Sequence, residues 1–524
     1  TLSLHDALPI YPNDYFDLIK DIRKKDDYFD AVVHMWSVTE RNEKNSEKYS
    51  ISEHLNQGIY SLLYLTQALL KSSMFDDIRF WVISSHLNII ESTDKCNPAK
   101  ATILSACKVI SQEYPHITCS NIDIGNINSD YFNTDITTDK LVSELTSNSQ
   151  DTNIAYRNNI RWIKVYEKEK FKSAPESLVL KDKGVYVITG GLGNIGLTLA
   201  NFFANTTKAK LVLITRSEFP AKPEWNTISV EKNHPLNAKV VKLVEMERLG
   251  AEVVVLQADC ATEEEMQDAF KIAEEKFGTI NGIIHAAGVT NLDSFKTIPE
   301  LNKQYCEEHF QSKIYGTIVL EKLLENRNID FCILFSSLSS FLGGLGFYSY
   351  SAANSFMDMF AESHDNDKWL SINWGVWNFD KEKIKGIGST ISDLNIDVEQ
   401  GTEAFGKALT LAGNLKHFIV SSSDFNAQLE QWSFIKNKTH ELKAQNNTVH
   451  ARPHLSTMYS PPDRECEKVL TVLWEQLIGI DSIGVYDNFF ELGGHSLMAT
   501  KLVSRIREIF KIDFSLKQFF DDLQ

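Results

Sequence analysis

Residues 184–204 read GVYVITGGLGNIGLTLANFFA, and this order of residues restricts the fold more than any other stretch of the chain. The apolar run VYVIT has the length and β-branched content of a strand buried on both faces, which belongs in a parallel sheet covered by helices. It enters TGGLGNIG (Thr189–Gly196) and then a helix-like run. In that context small residues let the backbone approach a pyrophosphate at a helix N-terminus. Thr189, Gly190, Gly191, Leu192, Gly193, Asn194, Ile195 and Gly196 are therefore candidate cofactor-binding residues. A tight turn without a ligand is the competing reading.

Three later strand ends extend the same site. KLVLITRSEFP places Arg216 and Ser217 where an adenosine ribose would lie; a carboxylate there would select NAD, whereas an arginine can pair with a 2′-phosphate and favours NADPH. AEVVVLQADC brings Asp259 and Cys260 to a position beside an adenine edge, and GIIHAAG supplies Ala286, Ala287 and Gly288 as a small-residue turn. FCILFSSLSSFLGGLGFYSYSAANSFMD (residues 331–358) then delivers Ser336 and Ser337 to a strand end, followed by a glycine-rich loop, Tyr350 and Asn354. Residues four apart on a helix share a face, so Tyr350 and Asn354 can point into one pocket. A hydroxyl that polarises a carbonyl and a phenol that protonates the developing alkoxide form a carbonyl-reduction site. Lys313, in QSKIYGTIVLEKLL, reads from its own helix as a solvent-facing residue.

The elements GTIVLEKLL, CILFSS, SAANSFMDMFAES and LSINWG have an earlier counterpart. AVVHMWSV, YSLLYLTQALL, FWVISS, AKATILSACKVISQEY and TCSNIDIG alternate strand and helix in the same order, with TCSNIDIG as the last strand of its set. No glycine-rich loop follows the early strand of that first copy, and NPAKATILSA stands where the second copy has YSYSAANSFMD. It reads as a structural partner.

Net charge −17 argues against nucleic-acid binding, and no apolar stretch is long enough to span a bilayer. Seven scattered cysteines without a CxxC pair suit a reducing cytoplasm and offer no metal site. TLSLHDALPI, residues 1–10, reads as a non-native scar. Residues 436–460 are polar and punctuated by prolines, as in a flexible linker. Beyond them an amphipathic helix with Val469, Leu473, Trp474 and Leu477 precedes DNFFELGGHSL, which presents Ser496 at the start of a second helix.

With TGGLGNIG, HAAG, Lys313, the serine pair, Tyr350 and Asn354 in order, the sequence resembles the ketoreductase domain of a modular polyketide synthase, itself similar to short-chain dehydrogenases. DNFFELGGHSL resembles the phosphopantetheine site of a carrier domain, and LGGHSL looks more like a peptidyl carrier, as in a hybrid polyketide and nonribosomal peptide synthetase. The resemblance implies an α/β fold of two Rossmann-like units, the first (11–175) catalytically silent and the second (176–435) binding NADPH. A small all-α carrier bundle (461–524), C-terminally truncated, would follow. It implies that Tyr350 donates the proton, Ser337 holds the ketone oxygen, Lys313 lowers the tyrosine's pKa and contacts the ribose, and Asn354 positions the relay. Of the two serines, Ser337 is chosen by its spacing to the tyrosine. Phosphopantetheine on Ser496 would be installed by a phosphopantetheinyl transferase, and the substrate would be an acyl or peptidyl thioester on a carrier domain among neighbouring synthase domains.

Two departures concern the turn and the stereochemistry. Asn194 stands where many relatives have glycine, and Leu292-Asp293-Ser294 and Leu342 replace the family's LDD signature and loop tryptophan. Two other readings stay open at this point: a carrier scaffold with an inactive reductase, and the terminal thioester reductase of a peptide synthetase, which would follow its carrier rather than precede it.

Overall fold

The computed structural model describes residues 11–24, 29–39, 47–72, 77–114, 116–125, 134–147, 149–168, 180–379, 395–413, 415–429, 450–453, 455, 457–494, 498, 499, 502, 503, 505, 506, 510, 518 and 519. They divide into two compact units, one of residues 1–290, 294–377 and 397–420, the other of residues 291–293, 378–396 and 421–524. Residues 1–10, the linker from 436 to 449 and Ser496 lie outside the described residues.

The larger unit contains two α/β sheets. In the first, β1 (Ala31–Ser37), β2 (Ile78–Ser84), β3 (Ile117–Asp123) and β4 (Asn153–Arg157) run parallel in that order, and β5 (Ile160–Ile163) returns antiparallel at the edge. TCSNIDIG is thus not the last strand of its set, because β4 pairs beside it. Asn158 and Asn159, at φ 49° and 65°, turn the chain back into β5. Two consecutive left-handed residues make a type I′ hairpin turn, so the signal was present in YRNNIR. The strands themselves are short and β5 is exposed throughout, which leaves no burial pattern to read.

The second sheet comprises β6 (Val185–Thr189), β7 (Lys210–Thr215), β8 (Glu252–Gln257), β9 (Ile280–His285), β10 (Phe331–Ser337), β11 (Trp369–Trp374) and β12 (His417–Val420). All are parallel, in the order β12-β11-β10-β9-β6-β7-β8. The chain moves outward from β6 to β8 and then returns to β9 on the other side of β6. Ligands of open α/β sheets bind at the carboxyl ends where strand order reverses in this way. Both sheets are Rossmann-like α/β layers, and one hydrophobic core runs through them, from Phe80, Ile103 and Val109 to Val187, Ile283 and Leu334.

Helix packing joins the two halves. The Thr102–Glu113 helix lies against the Tyr348–Ser363 helix, where the Ser105 and Ser355 hydroxyls meet and Ser105 Oγ is 3.2 Å from the carbonyls of Ser340 and Ser351. Tyr348 is fully buried and donates to the Ile59 carbonyl at 2.8 Å.

Inside the second sheet, Gly282 of β9 packs against Phe331 of β10, whose ring stacks on Tyr186. A Cβ at Gly282 would lie 2.3 Å from the Phe331 ring. Gly282→Ala is therefore expected to lower the free energy of unfolding by about 2 kcal/mol through overpacking, measured by urea-induced unfolding.

The smaller unit packs Leu473 and Trp474 of the Glu465–Ile478 helix against Phe489, Leu502, Val503, Ile506 and Phe519. His450–Ala451 pairs in parallel with Ile480–Asp481, and the Arg452 guanidinium donates to the buried Asp487 carboxylate at 2.7 Å. The polar composition that reads as linker up to residue 460 thus hides a pinned segment from residue 450 onward. Asp487 also accepts from Thr457 Oγ1 and the Gly484 amide, and a buried carboxylate needs such partners. Among the described residues no helix is long and apolar enough to cross a membrane.

Candidate active site

The glycine turn is folded against its surroundings so closely that side chains have no room. A Cβ at Gly190, where φ is +66°, would lie 2.9 Å from the Ala286 carbonyl oxygen. One at Gly191 would lie 2.7 Å from Leu213 Cβ, and one at Gly196 only 2.4 Å from the Gly190 oxygen. Gly193 is the N-cap of the Asn194–Thr207 helix and offers no capping side chain, so the first amides of this 14-residue helix are available to an anion. Asn194 and Gly193 are exposed, Ile195 is half-buried and Leu192 is buried. This is a cradle of backbone that fits a dinucleotide's pyrophosphate.

The neighbouring strand ends complete the crevice. Arg216 and Ser217 are exposed just beyond β7, and the Arg216 carbonyl accepts from Gln257 Nε2 at 3.2 Å. Asp259 Oδ1 accepts from the Ala261 amide at 2.9 Å. The Cys260 side chain is buried, with its thiol toward the Ser312 carbonyl, so it packs beneath the Lys313 segment. Ala286 and Ala287 are half-buried and Gly288 is exposed, and a Cβ at Gly288 would lie 3.2 Å from Lys313 Cε.

Lys313 itself is only 5% exposed, unlike the solvent-facing residue its helix pattern suggests. It sits in a π-helical turn, Gln311–Tyr315, a backbone irregularity often found at functional sites. Its ammonium donates to the Phe335 carbonyl of β10 at 2.9 Å and lies 5.8 Å from the centre of the Tyr350 ring. Burial pulls the Lys313 pKa down to about 8, against the opposing pull of Asp358 and Cys260. Thr189 Oγ1 and the His285 ring nitrogen Nδ1 are 2.7 Å apart, and His285 Nε2 is 2.8 Å from the Ser312 carbonyl. Burial holds His285 well below its usual pKa, so the neutral ring donates from Nε2 and accepts at Nδ1. This links the cofactor strand to the turn that carries Lys313.

Two tyrosines compete for the catalytic position, and their surroundings separate them. Tyr348 is committed to the Ile59 carbonyl, whereas the Tyr350 hydroxyl lies beside the Ser337 and Asn354 side chains. Burial raises the Tyr350 pKa, and the neighbouring Ser337 and Asn354 side chains oppose the rise. The net direction is upward, with burial its largest cause. Asn354 Nδ2 donates to the Tyr350 carbonyl at 2.8 Å, while its buried Oδ1 has no protein partner. Ser336 is held by Asn373, and Ser337 is the less buried of the pair. The structure therefore brings Lys313, Ser337, Tyr350 and Asn354 together beside the glycine cradle.

Comparison with known proteins gives this geometry a lineage. Residues 184–379 match the family described as KR domain, and residues 468–524 match phosphopantetheine attachment site. The chain is similar to the ketoreductase and carrier region of a modular polyketide synthase. Residues 4–144 match a third family, beta-ketoacyl synthase-like, N-terminal, a stretch that includes the first three strands described above. Polyketide synthase PksN of Bacillus subtilis (strain 168) is 28% identical over 398 residues, covering 71% of this chain and 7% of that protein. PksL of the same organism is 31% identical over 295 residues, covering 54% and 6%. The chain thus spans less than a tenth of the length of these relatives. A crystal structure of an N-terminal ketoreductase from the macrolactin assembly line superposes with a TM-score of 0.64 at 25% identity, covering 80% of this chain and 79% of that one. A ketoreductase domain from the bacillaene assembly line shares the fold with a TM-score of 0.61 at 22% identity, covering 77% and 95%.

Several residues around the ketoreductase site escaped the sequence reading. Phe295, Phe347 and His309 enclose the Tyr350 ring, with centroid separations of 5.4, 5.6 and 5.5 Å. Asn373 Nδ2 lies within 3.0 Å of Ser336 Oγ, the Ser337 carbonyl, Ser340 Oγ and Asp358 Oδ2, and so ties β10 to the Tyr350 helix. His417 sits between Glu362 and Asn373; burial alone would lower its pKa, but Asp358 and Glu362 carry it above the usual value. Asn373, in LSINWG, and Phe347, between the glycine-rich loop and Tyr350, lay in stretches the sequence had singled out.

The first half carries different residues at the corresponding places. Its own π turn, Asn56–Tyr60, has Gly58 where Gln311–Tyr315 has Lys313. Lys100 precedes Ser105 by the same interval that separates Tyr350 from Ser355, the two serines that meet between the halves. Its ammonium is consumed by the carbonyls of Ser37 and Ser85, each at 2.9 Å, and by Ser85 Oγ at 3.1 Å.

Proposed function

We propose that this region uses NADPH to reduce a β-ketoacyl thioester, tethered through phosphopantetheine to a carrier, to the β-hydroxyacyl thioester. The observation that carries the reading is the gathering of Ser337, Tyr350 and Asn354 next to a buried lysine and a glycine turn with no room for added side chains.

In this reading the Gly190–Gly196 turn and the helix behind it bind the pyrophosphate, and Arg216 pairs with a 2′-phosphate. The nicotinamide, when bound, supplies the hydride that reaches the β-carbon. Ser337 Oγ and the Tyr350 hydroxyl converge on the ketone oxygen, and Tyr350 gives its proton to that oxygen as negative charge develops there. Asn354 Oδ1, which lacks a protein partner, accepts from a water that returns a proton to Tyr350. Lys313 turns from the Phe335 carbonyl toward the ribose and the tyrosine, where its charge favours the tyrosinate left behind.

Gly58 in place of a lysine and Lys100 in place of a tyrosine support a catalytically silent first half, residues 11–175, beside a catalytic second half, residues 176–435. Ser496 would carry phosphopantetheine in the carrier region, after modification by a phosphopantetheinyl transferase. Tethering raises the local substrate concentration, so modest affinity for the acyl chain suffices.

Arg216→Ala is expected to raise the KM for NADPH about tenfold while leaving that for NADH unchanged, since a charge-assisted pair to phosphate is lost. Steady-state kinetics with both cofactors checks this. The reading as a whole is tested by NADPH oxidation with a β-ketoacyl pantetheine thioester: turnover with a β-hydroxyacyl product supports it, and a folded, NADPH-binding protein that reduces no such thioester refutes it.

A further inference from the structure

We propose that Glu113 and Gln112, at the end of a first-half helix, are positioning residues for the reductase site: they staple together the two loops that wall Tyr350. The inference rests on the reductase reading and concerns the opening through which the acyl chain reaches that tyrosine.

The first loop contains Gly343, Gly344 and Gly346, all at positive φ (73°, 139° and 73°). Glycines at such angles give a loop little stiffness of its own, so its shape has to be imposed from outside. Gln112 imposes part of it: Nε2 donates to the Leu342 carbonyl at 2.6 Å and Oε1 accepts from the Gly344 amide at 2.8 Å. Glu113 Oε1 then accepts from the Gly346 amide at 3.0 Å.

The second loop is held by the other oxygen of the same carboxylate. Glu113 Oε2 accepts from the Ile298 amide at 2.8 Å, and Gln67, also in the first half, donates to the Ile298 and Leu301 carbonyls at 2.7 and 2.8 Å. One side chain therefore bridges both loops. Phe347 directly follows Gly346 and Phe295 lies three residues before Ile298; their rings are 4.7 Å apart and both meet Tyr350 edge-on. Fixing the Gly346 and Ile298 amides on one carboxylate fixes the spacing of the two phenylalanines. A carboxylate offers an acceptor on each oxygen, as two facing amides require, and those amides oppose the burial that raises the Glu113 pKa to about 7. The first half thereby shapes the site of the second.

Glu113→Gln tests the staple, because its amide nitrogen must face one of the two N–H groups and leave it unsatisfied. Hydrogen exchange of the intact protein is expected to rise about tenfold in the peptides spanning 295–301 and 341–347, with 185–207 unchanged. With a β-ketoacyl pantetheine thioester, kcat/KM is expected to fall about tenfold and the enantiomeric ratio of the product to drop, while NADPH affinity is retained. A role confined to joining the halves would leave the enantiomeric ratio unmoved. Unchanged exchange in both loops overturns the proposal, as does increased exchange with unchanged kcat/KM and enantiomeric ratio. If Glu113→Gln fails to fold, Gln112→Ala is judged by the same readouts in the 341–347 loop. A wild-type protein that reduces no thioester refutes the reductase reading instead, and the exchange measurement still decides whether the staple exists.

Discussion

Tyr350→Phe should lower kcat for thioester reduction about a thousandfold, because the substitution removes the proton donor and little else. The ring keeps its edge contacts with Phe295, Phe347 and His309, so the wall of the site is preserved. NADPH affinity should be unchanged, since the glycine cradle is formed by β6, β7 and β9 and does not involve the phenol. Tyr348→Phe is the matched control: it deletes a hydroxyl two residues away that only anchors the helix to Ile59. Its effect should appear in stability and leave kcat within a small factor, and binding and turnover measured on both variants separate the two roles.

Lys313→Met carries the second large effect. Methionine fills a similar volume in a buried site, and removing a buried charge offsets the loss of the bond to the Phe335 carbonyl, so the fold should survive. Catalysis should not: without a cation 5.8 Å from the Tyr350 ring, kcat/KM is expected to fall about a hundredfold. The pH profile gives a second signature. Burial lowers the Lys313 pKa to about 8, so the ammonium is present below that value and is lost as pH rises through it. In the wild-type protein kcat/KM, which reports the free enzyme, should decline above about pH 8. In Lys313→Met that decline should vanish. The same shift makes stability rise from pH 8 toward the ordinary lysine pKa, because there the unfolded chain binds the extra proton.

How much of this could be read in advance depended on whether the signal was local. VYVIT with its glycine turn, and FCILFSS with the tyrosine helix after it, have periodicities and spacings that follow from the strand and helix they form. Lys313 was different. On its own helix it reads as a polar-face residue, and only the packing of a π turn against β10 buries it. Tyr350 could be picked out by its spacing to Asn354, whereas the commitment of neighbouring Tyr348 to Ile59, nearly three hundred residues earlier in the chain, is a tertiary contact. The grip of Gln67, Gln112 and Glu113 on the loops around Tyr350 is tertiary throughout, and no pattern within either segment encodes it. The pinned segment from residue 450 hid for a related reason. A single arginine paired with a buried aspartate 35 residues away orders a stretch whose composition is that of a linker.

The most direct test of the account is isotopic. The intact protein would be given NADPH carrying deuterium on the transferring face of the nicotinamide and a β-ketoacyl pantetheine thioester, and the product examined by mass spectrometry. The account predicts a β-hydroxyacyl thioester with one deuterium on the β-carbon, and none formed by Tyr350→Phe. Deuterium delivered to the thioester carbon, releasing an aldehyde, or equal labelling with Tyr350→Phe, would contradict it.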